Sequence, residues 1–368
     1  MTKKLLYFNG LAILAVILFH SVGWGFTAMF SWFHRYLPVG VDPAIQIGTI
    51  GYYSFRFIEQ LVSFCIAGFL FVSGFFVAFT TPAKENTISW KTVLNRVKFL
   101  VIPYLIWTTL FVVLNFAEGN QLPLRVLARF YLTGASTPAY YFVILLVQLY
   151  LLAPFLVPLA RNHWKILLVV TGLMQIAFHL LQYPLIIGST SPIIVNISAL
   201  LPKWLFLVRL FWFCLGMFIG FHRDLIKKWV ENKTLLWGSL TMLFFVAGMV
   251  EWELLFRASG LPWIETRETL IDALYALTFL LTFLSFNGVL PLKSFTEKIG
   301  SQSFGIYLVH IPVMELVSRS IYHFAPWLLG QAVLFAFIIA LTGLIIPLTL
   351  MWLVRKSPLQ KTYKVIFG

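Results

Sequence analysis

The chain has 368 residues, of which 60% are hydrophobic and only 11% charged, and its mean hydropathy is +0.89. Soluble domains carry roughly 25% charged residues, so a soluble globular protein is excluded and an all-α polytopic membrane protein is expected. The formal charge of +14 does not argue for nucleic acid, because the basic residues sit in short loops between apolar runs, where topology accounts for them.

The first run, Leu5 to Trp24, is long enough to cross a bilayer and carries His20 about three quarters of the way along. Lys3 and Lys4 before it resemble a signal peptide, but the run is long and no small-residue cleavage site follows, so it is expected to remain. Asn9 lies eleven residues before His20, nearly on the same helical face and about 16 Å away along the axis. An imidazole inside a membrane helix is costly and belongs against protein or water rather than lipid.

Further apolar segments follow near residues 56–80, 99–116, 139–159, 164–183, 204–222, 234–254, 269–288, 302–322 and 328–353, which makes about ten spans in a single domain, 1–368. The semi-apolar stretch 183–202, with Gly188, Pro192 and Pro202, reads as a loop or a re-entrant segment. With the N-terminus inside, 18 of the 27 basic residues fall on the cytoplasmic side, so both termini are expected there. Arg35, Arg267 and His34 belong to the outer loops in that orientation. Cys65 and Cys214 both lie in apolar runs and read as packing residues rather than a disulfide or metal pair.

That orientation gathers polar residues toward the outer half of the bundle. Arg56 and Glu59 open the second span three residues apart, able to pair. His179, Arg209, Glu251, Glu253 and Asp272 lie near outer span ends, His310 close to mid-depth, and Glu315 and Arg319 farther out. A polar chamber open to the outside would hold them. Arg56, Glu251, Glu253 and Arg319 are equally well read as snorkelling to the interface. On the opposite side, Arg96 and Lys98 begin the third span, where a planar fork and a point charge would suit phosphates or simply anchor the helix. Ser73, in GFLFVSGFF, has no base nearby in sequence and is commonly a packing residue. No Gly-rich phosphate loop, HExxH or CxxC is present, and no metal site is expected.

Taken together, the residues resemble the acyltransferase family 3 of membrane proteins, which O-acylate surface polysaccharides and related glycans. The resemblance runs over nearly the whole chain. It rests on LAVILFH, GFLFVSGFF, RVKFLVIPYLIW, YYFVILLVQLYLLAPFL, RLFWFCLGMFIG and IGSQSFGIYLVHIP, in that order. The fourth-span and RVK–IPY runs look most like the branch with the staphylococcal biofilm-polysaccharide protein, a proposed succinyltransferase. The family usually has Arg or Lys where Asn9 stands, and often a further arginine where Phe99 stands.

The resemblance implies an enzyme of the bacterial cytoplasmic membrane that moves an acetyl or succinyl group from acyl-CoA to a hydroxyl of a glycan or lipid-linked saccharide. His20 would be the general base, with Glu59 orienting it and Tyr307, His310 or Arg209 stabilising the oxyanion or holding the acceptor. Arg96 and Lys98 would hold the phosphates of acyl-CoA, and Asn9, Arg56, Arg209 and Ser73 would lie along the substrate path. Partners would be membrane lipids and a polysaccharide synthase complex, with no nucleic acid. An acyl-histidine intermediate remains open. So do two other readings of the same polar chamber: a transporter of a polysaccharide or small anion, and a non-catalytic scaffold.

Overall fold

A computed structural model describes residues 2–32, 43–264 and 268–368; His34, Arg35 and Arg267 lie outside them. Among the described residues all regular structure is helical, with no strand. The chain begins with α1 (Thr2–Phe30), α2 (Ile50–Val62), α3 (Cys65–Thr80) and α4 (Trp90–Ala117). Next come α5 (Leu124–Thr133), α6 (Tyr141–Asn162), α7 (Trp164–Ile186) and α8 (Pro192–Leu200). They are followed by α9 (Leu210–Phe221), α10 (Arg223–Val230), α11 (Thr234–Ser259) and α12 (Leu270–Ser285). The chain closes with α13 (Lys293–Ser301), α14 (Ser303–Phe324), α15 (Ala332–Lys356) and α16 (Tyr363–Phe367).

Eight stretches among the described residues are long and apolar enough to span a bilayer, the second being α2 and α3 taken together. Two shorter apolar helices, α9 and α12, occupy the remaining expected positions. Contacts at the two ends show that successive spans alternate in direction. At one end Lys4 Nζ donates to the carbonyl of Leu284 (3.0 Å), Arg96 reaches the end of α3, and Thr234 Oγ1 donates to Ser285 O. At the other, Tyr52 Oη donates to Pro262 O, Trp32 packs on Tyr322, and Arg319 pairs with Glu118.

Several boundaries differ from the sequence reading: the first span runs on to Phe30, and the third begins at Trp90 rather than 99, so that Arg96 and Lys98 lie inside it. The second span begins at Ile50 rather than 56, because the Thr49 hydroxyl caps the helix by accepting from Tyr52 N. It then breaks at Ser63–Phe64, where Ser63 N bonds Gln60 O instead of continuing the ladder. In the sixth span only Leu210–Phe221 is α-helical, the preceding Phe206–Val208 being a 3₁₀ turn. The stretch 183–202 resolves into the end of α7 and the short α8, which starts with Pro192 and buries no residue.

Amphipathic α5 was not expected. Arg125 and Arg129 share one of its faces, none of its residues is buried, and it is suited to lie along a membrane surface. In the core, α3 and α9 cross at close range. A Cβ on Gly74 would come within 2.0 Å of Phe213 O, and one on Gly216 within 2.0 Å of Phe71 O, so only glycine lets the two backbones meet.

Candidate functional site

α1 and α14 bring the two deep histidines together, their ring centroids 5.4 Å apart. His310 is fully buried, in an apolar stretch running from Gly305 to Met314. His20 is half-buried, makes no hydrogen bond among the described residues, and packs edge-on against Phe19 at 5.5 Å. The spacing between the two imidazoles lets one substrate oxygen sit within hydrogen-bond reach of both rings.

The protonation of His310 follows from its partner. Nδ1 lies 2.6 Å from the backbone carbonyl of Tyr307, and a carbonyl can only accept. Nδ1 therefore carries the hydrogen, and in the neutral ring Nε2 holds the lone pair. Nε2 is buried and has no hydrogen-bond partner among the described residues. A basic nitrogen held unpartnered beside a second imidazole is a poor device for stability and a good one for moving a proton.

The other expected residues fall into place around this pair, some near it and some apart. Tyr307 packs against the His310 ring at 5.6 Å, but its hydroxyl donates to the carbonyl of Ala139. Its single O–H is thereby spent on the fold, and an oxyanion role for it does not follow. Glu59 does not reach His20. Its carboxylate takes Arg56 Nη1 at 3.4 Å and Trp263 Nε1 at 3.1 Å.

Arg56 also donates to Gln60 Oε1 at 2.8 Å and stacks over Trp252 at 4.8 Å. Gln60 continues to Asp272, whose other oxygen accepts from Thr269, and Thr269 also bonds Glu251. Arg56 and Glu251, which had an interfacial reading, are thus buried members of one polar network joining α2, α11 and α12. Arg319, by contrast, is surface-exposed and pairs with Glu315 and Glu118, as a snorkelling residue would.

Arg209 is buried, pairs with Glu268, and stacks over Tyr141 at 5.2 Å. His179 Nδ1 contacts the carbonyl of the same Glu268 at 2.8 Å and Gln175 meets its Nε2 at 2.9 Å. Burial alone would raise the Glu268 carboxyl, but Arg209, with Lys203 and His179, outweighs it and holds the group below the usual carboxylate range. Residues 139–142 connect this cluster to the histidine pair, since Ala139 accepts from Tyr307 and Phe142 packs on its ring at 5.5 Å.

Asn9 sits deeper toward the Lys4 end, where its amide donates to Gly300 O at 3.0 Å and Ser303 Oγ at 2.6 Å. The amide is thus committed to the junction of α1 with α13 and the start of α14. Ser73 is half-buried on α3, beside Gly74 at the α9 crossing.

Arg96 Nη2 donates to Phe76 O at 3.0 Å and Thr80 Oγ1 at 2.7 Å, and its guanidinium lies over Tyr150 at 5.3 Å. Lys98 is exposed and, two residues on, points to a different side of α4. Arg223 is the cation that joins Arg96 at the end of α3, stacked over Phe75 and Phe79 at 5.2 and 5.3 Å. Sequence reasoning missed it because the two arginines lie on different helices.

Among the described residues no group of His, Cys, Asp and Glu has the arrangement of a metal site. A cleft of about 630 Å³ opens at the far end, lined by Met29, Thr49, Gln331 and Phe337 among others. None of its lining residues belongs to the histidine pair.

A family model described as an acyltransferase domain matches residues 5–352, nearly the whole chain. The searches of curated proteins and of solved structures gave no match. With eight candidate spans and two shorter apolar helices among the described residues, and the two motif histidines side by side in their midst, the match and the geometry agree: this chain belongs to acyltransferase family 3, a family of membrane acyltransferases.

Proposed function

We propose that the protein transfers an acetyl or succinyl group from acyl-CoA, on the cytoplasmic side, to a hydroxyl of an exported glycan or lipid-linked saccharide reaching it from outside. The observation that carries this reading is the His20–His310 pair, with His310 Nε2 buried, unpartnered and fixed as an acceptor. His20, the ring with free surface, takes the proton of the acceptor hydroxyl while His310 Nε2 accepts a hydrogen bond from the other His20 nitrogen. The resulting alkoxide attacks the thioester carbonyl carbon. Collapse of the tetrahedral intermediate breaks the C–S bond, and the departing CoA thiolate takes the proton from the His20 imidazolium.

Arg96 sits at the end of the bundle that the basic-residue bias assigns to the cytoplasm, and Arg223, stacked on the same end of α3, adds a second cation to a phosphate-holding role there. Lys98, on another side of α4, suits headgroup anchoring in the lipid. The likeness of the fourth span to the branch with a proposed succinyltransferase supports succinyl among the two acyl groups. In this reading Arg209 and Arg56 shape the chamber wall through their carboxylate partners, and Ser73 lines the α3 side. The enzyme works in the bacterial cytoplasmic membrane beside a polysaccharide synthase complex that presents the acceptor.

Radiolabelled acetyl-CoA and succinyl-CoA supplied to inside-out vesicles test the proposal. Label recovered on lumenal saccharide supports it, and the preferred donor names the acyl group. Label that stays on CoA with an intact saccharide acceptor present contradicts it.

A further inference from the structure

Pro312 lies inside α14, two residues after His310. Proline has no N–H, so the carbonyl four residues earlier, that of Leu308, loses its ladder donor. A buried carbonyl left in that state needs another partner. Tyr140 supplies one: its hydroxyl lies 2.5 Å from Leu308 O, and its ring is fully buried.

This bond is half of a reciprocal clasp. Tyr307 donates its hydroxyl to Ala139 O, so two successive residues before α6 hold two successive residues of α14. The clasp has its own support. Gly134 ends α5 at φ +72°, and a Cβ there would meet the Tyr140 carbonyl at 2.5 Å. Thr137 Oγ1 then accepts from Tyr140 N at 3.2 Å, fixing the turn that carries Tyr140 inward. Ser136, Thr137, Ala139 and Tyr140 are all buried.

We propose that Tyr140 is a positioning residue for His310. By donating to Leu308 O it holds the proline-broken turn of α14 so that His310 Nδ1–H stays on Tyr307 O and the Nε2 lone pair faces the His20 side. The proposal rests on the histidine pair as the proton-handling group, yet its first readout is independent of transfer activity.

The experiment uses full-length protein in lipid nanodiscs with ¹⁵N-labelled histidine, since ¹⁵N shifts separate a protonated ring nitrogen from one with a lone pair. The His310 signals are assigned by their loss in His310→Asn. Wild type is expected to show the Nδ1–H form alone. Tyr140→Phe keeps the ring and removes the donor; it should show mixed tautomers and a kcat lowered about tenfold, with the KM for acyl-CoA unchanged. Pro312→Ala restores an N–H for Leu308 O, so Tyr140→Phe in that background should return to one tautomer and near-parental kcat. The double variant also keeps the test usable if Tyr140→Phe alone does not fold. Wild-type tautomer and kcat in Tyr140→Phe overturn the proposal, as does a fall in kcat without a tautomer change or a failure of Pro312→Ala to rescue. A tautomer change in Tyr140→Phe alongside full activity in His310→Asn supports the positioning role and removes His310 from the reaction.

Discussion

A neutral imidazole has one nitrogen that donates and one that accepts, and in His310 a backbone carbonyl decides which is which. The histidine itself was legible in the sequence, because an ionisable residue in an apolar run is rarely idle. Its tautomer was not, since that depends on the turn of helix behind it. Asparagine offers a clean separation of the two functions. In His310→Asn the amide nitrogen can replace Nδ1–H on Tyr307 O, while no basic nitrogen replaces Nε2. We expect the variant to melt within a few degrees of wild type and to lose about 10²-fold in kcat, measured on purified protein in nanodiscs. Unchanged kcat would reduce His310 to a packing residue.

Glu59 and Tyr307 show the limit of residue-level reading. Each has suitable chemistry and depth, but partners more than a hundred positions away in the sequence, Trp263 and Ala139, already occupy them. Asn9 is the converse case. It departs from the cation usual in the family, and its amide bonds both Gly300 and Ser303. Asn9→Ala should cost about 1–2 kcal/mol of stability through those two bonds. It should leave the acyl-CoA KM near wild type; a large rise in KM would place Asn9 on the substrate instead.

At the scale of elements, apolar runs of about 20 residues gave the spans almost directly, because the bilayer sets helix length. What they did not give is how the helices meet. The α3–α9 crossing depends on Gly74 and Gly216, each against the carbonyl of the partner helix. Gly74→Ala puts a methyl 2.0 Å from Phe213 O, where neither backbone can yield easily. The expected loss is more than about 2 kcal/mol, read as a lower melting temperature in detergent. A neutral result would mean that the two helices separate more freely than this packing allows.

The Arg209–Glu268 pair ties the loop before α12 to the start of α9, and both partners are largely withdrawn from solvent. With the Glu268 carboxyl held below its ordinary value, the folded state favours the ionised form. That stabilisation is present above the unfolded carboxyl pKa of about 4.3 and is lost as pH falls through the lower folded value. Glu268→Gln should therefore lower the melting temperature at pH 7, leaving the Arg209 charge without its partner. The wild-type advantage should shrink below about pH 4. A constant difference across pH would show that the carboxylate charge is not what stabilises the loop.

For the molecule as a whole, alternating spans put Lys4, Arg96, Arg223 and Thr234 at one end and Tyr52, Trp263 and Arg319 at the other. The basic-residue bias assigns the first end to the cytoplasm. Single cysteines at Lys84 and Lys228 should then react with an impermeant maleimide only in inside-out vesicles, and cysteines at Glu118 and Gly260 only in intact cells. Cys65 and Cys214 are buried and should stay silent. Labelling with the opposite sidedness would invert the donor and acceptor faces.

The proposed reaction draws its two substrates from opposite sides of the membrane. Each histidine is carried on its own long helix, α1 or α14, and the pair meets inside the bundle with His310 fully enclosed. The most direct measurement is incorporation of labelled acyl groups into lumenal saccharide by inside-out vesicles containing His20→Ala, matched to wild type for membrane-inserted protein. The account predicts that incorporation falls to the level of vesicles without the enzyme. Wild-type incorporation by His20→Ala would contradict it.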